Sequence, residues 1–249
     1  MSHSIQNLPR LEGATLWITA LLLALSNFIV VLDMTVANVS VPHIAGGLAV
    51  PLLEGTYVIT SYAVAEAVIV PLTGWLALRF GTLKVFKWSI LAFGVFSGLC
   101  GLSNSLGFLV VSRIFQGLAG GPIMPLSQTL MMSIFPKEKQ ATAIGIWGTT
   151  TLVAPVLGPI VGGYICDNWS WPFIFYINIP ITLIGSFAVG KLLSGFETVI
   201  EKRKVDVVGL ILLIIWVGAL QIMLDEGKNH DWFESTFITS LLIISVIGF

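Results

Sequence analysis

The chain has 249 residues, 56% apolar and only 10% charged, with 12 Lys and Arg against 13 Asp and Glu for a net charge of −1. Ordinary globular proteins carry about 25% charged residues, and so few charges cannot cover a soluble fold of this size, so lipid is the solvent for most of the chain. Two cysteines exclude a small disulfide scaffold, and a near-neutral charge with no basic cluster in a folded context excludes a nucleic-acid binder.

About 20 apolar residues cross a hydrocarbon core of roughly 30 Å. Residues 1–13 are polar, and no short apolar run with a small-residue cleavage site follows. The first span is therefore expected to be a retained helix rather than a signal peptide. Apolar stretches then cover 14–41, 55–78, 84–102, 106–135, 141–165, 172–193 and 207–224, and an eighth begins near Phe237 and is still running at Phe249. A spanning helix that stopped there would leave carbonyls without partners at membrane depth, which predicts either a fragment or one part of something larger. Arg10, then Arg79, Lys84 and Lys87, then Lys137 and Lys139, then Lys191, Lys202, Arg203 and Lys204 fall in alternate loops. The other loops hold only Lys228, so the rich side and the N-terminus are expected to be cytoplasmic. Cys100 and Cys166 both fall near the outer face, as a disulfide or as two unrelated thiols.

Three ionisable residues lie within spans, Asp33, Glu66 and Arg113. A charge at a helix centre costs roughly 2.5–3.5 kcal/mol on insertion scales, so each calls for a partner or a task. From the rise per residue, Asp33 and Arg113 lie at matching depth, ~12 and ~10 Å from the outer ends of helices 1 and 4, and Glu66 about 17 Å in. Thr19, Ser26, Asp33 and Ser40 recur every seven residues and form one stripe. Arg113, Gln116, Gly117, Gly120, Met124 and Ser127 form a similar face on helix 4, and Tyr62, Glu66 and Thr73 on helix 2. Three stripes predict a shared aqueous cavity lined by Ser26, Tyr62, Gln116 and Met124. Either the charges are ion pairs holding helices together, or a carboxylate takes part in proton or substrate traffic. Tyr62 and Met124 either give adaptable apolar contacts to a substrate or simply pack.

Helix 5 carries Thr150, Ala154, Gly158 and Gly162 at spacing four, with Pro155 and Pro159 between. Small residues so spaced let another backbone approach, which predicts a sliding or sealing surface between lobes, or else a dimer face. Thr73-Gly74-Trp75-Leu76-Ala77 is faintly echoed by Gly162-Gly163-Tyr164-Ile165-Cys166, as inverted repeats would give. The chain has no nucleotide-binding G-x-x-x-x-G-K-[ST], and His3, His43 and His230 are scattered. No enzyme, metal or cofactor is expected.

Leu32-Asp33-Met34-Thr35-Val36-Ala37-Asn38-Val39 with Pro42 resembles the first-helix signature of the fourteen-helix drug–proton antiporters of the major facilitator superfamily. Gly74-Trp75-Leu76-Ala77-Leu78-Arg79-Phe80-Gly81 resembles the superfamily's loop 2–3 motif, and Arg113-Ile114-Phe115-Gln116-Gly117 its helix-4 motif. Ala154 to Gly163, through Pro155, Gly158, Pro159 and Gly162, is similar to the helix-5 antiporter motif. Trp171-Pro172-Phe173-Ile174-Phe175-Tyr176-Ile177-Asn178-Ile179-Pro180, with Asp206 and Gly209 opening helix 7, fits the same group, nearest its EmrB-type inner-membrane pumps.

The resemblance implies an all-α integral membrane fold. Residues 1–13 would be a cytoplasmic N-terminus, 14–193 a six-helix N-terminal lobe of three plus three inverted helices, 194–206 a cytoplasmic loop, and 207–249 helix 7 with part of helix 8. It implies drug efflux across a bacterial inner membrane, driven by the proton gradient without a cofactor. Asp33 would carry the proton, Glu66 would be a second candidate, and Arg113 would tune Asp33. It further implies a periplasmic adaptor, an outer-membrane channel and a missing C-terminal lobe as partners. Gly74, Arg79 and Gly81, with the helix-5 residues, would serve conformational change. Leu78 stands where that motif has an acid, which puts a charge latch there in doubt, and Lys84 and Lys87 sit later than its usual basic pair. The rival expectations are an exporter or symporter of one metabolite, such as a fatty acid or siderophore, and a truncated membrane scaffold or sensor.

Overall fold

The computed structural model describes residues 11–198, 200 and 206–249. Arg10 and the rest of 1–10, and Lys202, Arg203 and Lys204, lie outside the described residues. Seven helices among the described residues are long and apolar enough to cross a membrane. They are α1 (Gly13–Val39), α2 (Leu52–Phe80), α3 (Thr82–Gly101), α4 (Leu106–Ile134), α5 (Lys137–Asn168), α6 (Phe173–Leu192) and α7 (Val207–His230). A shorter apolar helix, α8 (Thr236–Gly248), follows. Each matches an apolar stretch of the sequence because a buried backbone in lipid must close its own hydrogen bonds.

The punctuation is local. Ser105 caps α4 by accepting from the Phe108 amide at 3.4 Å, and Asp206 caps α7 by accepting from the Gly209 amide at 2.9 Å. Pro71 sits in a 3₁₀ turn within α2, and Gly121-Pro122 interrupts α4.

Helix α1 lies at the centre, packed on α5, α6 and the second half of α4. Helices α2 and α3 both pack on the first half of α4, and α6 packs on α3. Helix α7 packs on α2 and on α8. Glycines allow the closest crossings. A Cβ on Gly94 of α3 would run into the Thr182 side chain of α6, and one on Gly117 of α4 would lie 2.5 Å from the Tyr62 carbonyl oxygen of α2.

At one end of the lobe, Lys87 packs over Gly190, and Gly81 and Lys84 meet Glu197. At the other end, His43 lies 3.5 Å from Asp167, and Trp171 covers Gly47. Lys191, next to Gly190, thus shares one end of the lobe with Lys84 and Lys87. Both cysteines are free thiols, Cys100 buried and Cys166 3.3 Å from the Ser40 hydroxyl.

The small-residue stripe of α5 corrects an expectation. Ala154, Gly158 and Gly162 are buried inside the lobe against α1, where Cβ atoms on Gly158 and Gly162 would meet Thr35 and Val36 with Val39. It is no surface between lobes. Pro155 and Pro159 sit on the opposite, exposed side, while Thr150 and Gly163 are half-buried. Small residues were spent where two helices of one lobe touch, and prolines, which lack a donor, remain outside.

Candidate functional site: a closed carboxylate network

Asp33 is held where α1, α3, α4 and α6 converge. Its Oδ2 accepts from Arg113 Nη1 at 2.7 Å, and its Oδ1 accepts from Gln116 Nε2 at 3.1 Å and Asn178 Nδ2 at 2.5 Å. Arg113 Nη1 also donates to Gln116 Oε1 at 2.9 Å, and its Nε donates to the Val58 carbonyl at 3.1 Å. The guanidinium carbon lies 4.1 Å from the centre of the Tyr62 ring and 5.6 Å from that of Phe175. The Arg113 and Asp33 side chains are 0% and 1% exposed.

The geometry follows from the helix positions. Gly117 brings α4 against the α2 backbone, so Arg113, one turn earlier, reaches Val58 and the face of Tyr62. Gln116, three residues on from Arg113, reaches the same carboxylate. Asn178, in the first half of α6, reaches it from the other side. Two opposite charges in a dry interior are tolerated only when paired and hydrogen-bonded, and this pair has three bonds at its carboxylate. Among the described residues, every hydrogen-bonding partner of Asp33 donates to it.

Asp33, Arg113, Gln116 and Tyr62 are thus brought together. Glu66 is not: it is half-buried, one turn beyond Tyr62, and no hydrogen bond joins it to this network among the described residues. The expected shared aqueous cavity is corrected. Thr19, Ser26 and Ser40 are buried and donate to carbonyls of their own helix, and Tyr62 and Gln116 are wholly buried. Where the stripes meet, Asp33 is bonded by Arg113, Gln116 and Asn178, while the Tyr62 hydroxyl and Arg113 Nη2 are buried without a protein partner among the described residues. Met124 is half-buried. Cavities of about 540 and 510 Å³ lie instead between the lobe and α7, and share Thr60 and Glu226 in their walls. Ser26, Tyr62, Gln116 and Met124 line neither.

Sequence reasoning did not single out Asn178 or Ser97. Asn178 is wholly buried and also donates to Ser97 Oγ at 2.9 Å, whose hydroxyl donates to the Phe175 carbonyl at 2.8 Å. The signal was available: a lone amide in an apolar helix costs free energy unless bonded.

At the end where Gly74, Arg79 and Gly81 lie, Gly74 is exposed and Arg79 half-buried. Gly81 stands at φ +96°, a conformation that suits glycine, at the start of α3. Leu78, in the place of the motif's acid, is exposed. An acid arrives from elsewhere: Glu197, beyond α6, accepts from the Leu83 and Lys84 amides at 3.0 and 3.1 Å and so caps α3. Glu197→Ala should cost about 1 kcal/mol, as loss of a cap does, read as a lower thermal unfolding midpoint, and Glu197→Gln should lose less.

The Major Facilitator Superfamily model matches residues 23–247. The multidrug export protein EmrB of Escherichia coli K12 is 48% identical over 244 residues, covering 98% of this chain and 48% of that protein. The fatty acid resistance protein FarB of Neisseria gonorrhoeae is 49% identical over 240 residues, covering 96% and 47%. A crystal structure of a peptide transporter, POT, in complex with sulfate superposes with a TM-score of 0.72 at 17% identity, over 99% of this chain and 54% of that one, a likeness of fold alone. The chain spans about half the length of the curated relatives it matches.

Proposed function

The chain belongs to the Major Facilitator Superfamily, a family of membrane transporters rather than enzymes, and we propose that it is the N-terminal part of a proton-coupled exporter of drugs and other amphipathic toxic compounds. The observation that carries the proposal is the buried Asp33–Arg113 pair, the only ion pair among the described residues with both side chains out of water. A carboxylate held only by donors within a lobe can take a proton only if the groups around it rearrange, and neutralising it weakens its pairing with Arg113. Proton binding would thereby be tied to a rearrangement of α1 against α4. Glu66, half-buried and outside the network, is a second proton site or the group that meets a cationic cargo.

The cargo class comes from relatives named for multidrug export at 44–48% identity. The membrane is taken to be the bacterial inner membrane with a cytoplasmic N-terminus, since ten of the twelve basic residues fall in alternate loops. The partners would be a C-terminal lobe completing alternating access, a periplasmic adaptor and an outer-membrane channel. Gly74, Arg79, Gly81 and the proline face of α5 would act as that second lobe moves.

The complete transporter in vesicles should extrude an amphipathic fluorescent dye when a proton gradient is imposed, and stop when an ionophore collapses it. Dye binding without gradient-dependent flux would favour a sensor or scaffold instead. A second reading, export of a single metabolite class, is favoured by the likeness to a fatty acid resistance protein. Competition by fatty acids alone, with no inhibition by unrelated amphiphiles, would select it.

A further inference from the structure

Protonation of Asp33 poses a problem that the network itself can answer. The carboxylate meets only donors: Nη1 of Arg113, Nε2 of Gln116 and Nδ2 of Asn178. A carboxylic acid O–H placed among them would have no acceptor, and a buried hydroxyl without one is costly. One of the two amides must turn over to offer its oxygen. Gln116 is locked, because its Oε1 accepts from Arg113 Nη1 at 2.9 Å and from Cys100 Sγ at 3.3 Å. Turning it would point an NH₂ at a guanidinium. Turning Asn178 breaks no bond at its oxygen, because Oδ1 is buried without a hydrogen-bond partner among the described residues. Its NH₂ gives up the bonds to Asp33 and Ser97 Oγ, and that cost holds the amide in place until a proton reaches Asp33.

We propose that Asn178 is a positioning residue that reads the protonation state of Asp33 by reversing its side-chain amide. With Asp33 ionised, Nδ2 donates to Asp33 and to Ser97 Oγ, and Ser97 donates to the Phe175 carbonyl. With Asp33 protonated, the Asn178 oxygen occupies that place and accepts from the Asp33 O–H. The Ser97 hydroxyl then swings from the Phe175 carbonyl to the Asn178 oxygen. No covalent bond changes beyond the proton on Asp33. The consequence is that a proton arriving on α1 withdraws a hydrogen bond from the Phe175 carbonyl, in the turn that opens α6. Phe175 packs its ring toward the same guanidinium, so α3, α4 and α6 all register the event.

The other ionisable groups around Asp33 are Arg113 on α4, Tyr62 and Glu66 on α2, and Cys100 on α3. None of them is an acceptor in contact with its carboxylate. The inference rests on the reading of Asp33 as the proton carrier and deepens it.

Infrared difference spectra between neutral and acid pH, on the complete transporter with ¹³C in its asparagine side-chain carbonyls, test it. Acidification should raise a carboxylic-acid band that Asp33→Asn lacks. With it should come a label-sensitive pair of amide bands that vanishes in Asn178→Leu. If Asn178→Leu does not fold, Asn178→Gln keeps an amide but should lose the label sensitivity. Ser97→Ala should keep the amide pair and lower gradient-driven transport about ten-fold, the effect of one lost buried hydrogen bond. A carboxylic-acid band without that amide pair overturns the inference and leaves the proton-carrier reading standing. Ser97→Ala transporting at the wild-type rate overturns the relay to Phe175. Absence of any Asp33 carboxylic-acid band overturns the proton-carrier reading, and the inference with it.

Discussion

Arg113→Met is expected to destabilise the lobe by about 3–5 kcal/mol, the effect of stripping the partner from a buried charge. Asp33 would keep two amide donors, from Gln116 and Asn178, but lose the only cation in contact with it among the described residues. The Val58 carbonyl would lose a donor and the Tyr62 ring its cation as well. Removing both charges, as in Asp33→Leu with Arg113→Met, should restore most of that stability, because an apolar pair of similar volume replaces a buried ion pair at little cost. Transport should not return. Thermal unfolding of the two single variants and the double variant checks this. A coupling energy near zero in that cycle would mean that the pair does not form.

The second large effect lies at a glycine. Gly117→Ala places a methyl 2.5 Å from the Tyr62 carbonyl oxygen and 3.0 Å from the Ala65 methyl. The first obstacle is helix backbone, which cannot turn aside as a long side chain would, so α2 and α4 must separate. Overpacking of this kind costs typically 1–3 kcal/mol, occasionally more. It also draws Arg113 away from Val58 and Asp33, so loss of the folded fraction and loss of transport should go together. Gly107→Ala, on the same helix with nothing within 4 Å of its Cβ position, should change neither. Equal behaviour of the two variants would contradict the close crossing of α2 and α4.

The spans were legible because a hydrocarbon layer dictates helix length and leaves no alternative backbone structure. Asp33 and Arg113 were legible for the same reason: a charge in lipid announces itself, and equal depth on two helices suggested a partnership. Azimuth was less legible. Seven-residue spacing placed Ser26 and Ser40 on the Asp33 face, but nothing in one sequence says whether a stripe looks onto water or onto three other helices. Small residues carry the same ambiguity, since Gly158 and Gly162 would serve a lobe interface as well as they serve the contact with α1. Asn178 escaped notice because an amide in a span carries no net charge, although burial makes its demand for partners nearly as strict. Glu197 escaped because a cap donated across 114 residues leaves no local pattern.

The central claim is that Asp33 exchanges a proton with each transport cycle. The direct measurement is dye-evoked proton movement across vesicles holding the complete transporter, recorded with an internal pH indicator for the wild type and Asp33→Asn. Only preparations that elute as folded protein would be compared. The account predicts that dye addition moves protons in the wild type, and that Asp33→Asn abolishes this signal together with gradient-driven dye flux. Proton movement of wild-type size in Asp33→Asn would contradict it and move the coupling site elsewhere, with Glu66 the first to be substituted.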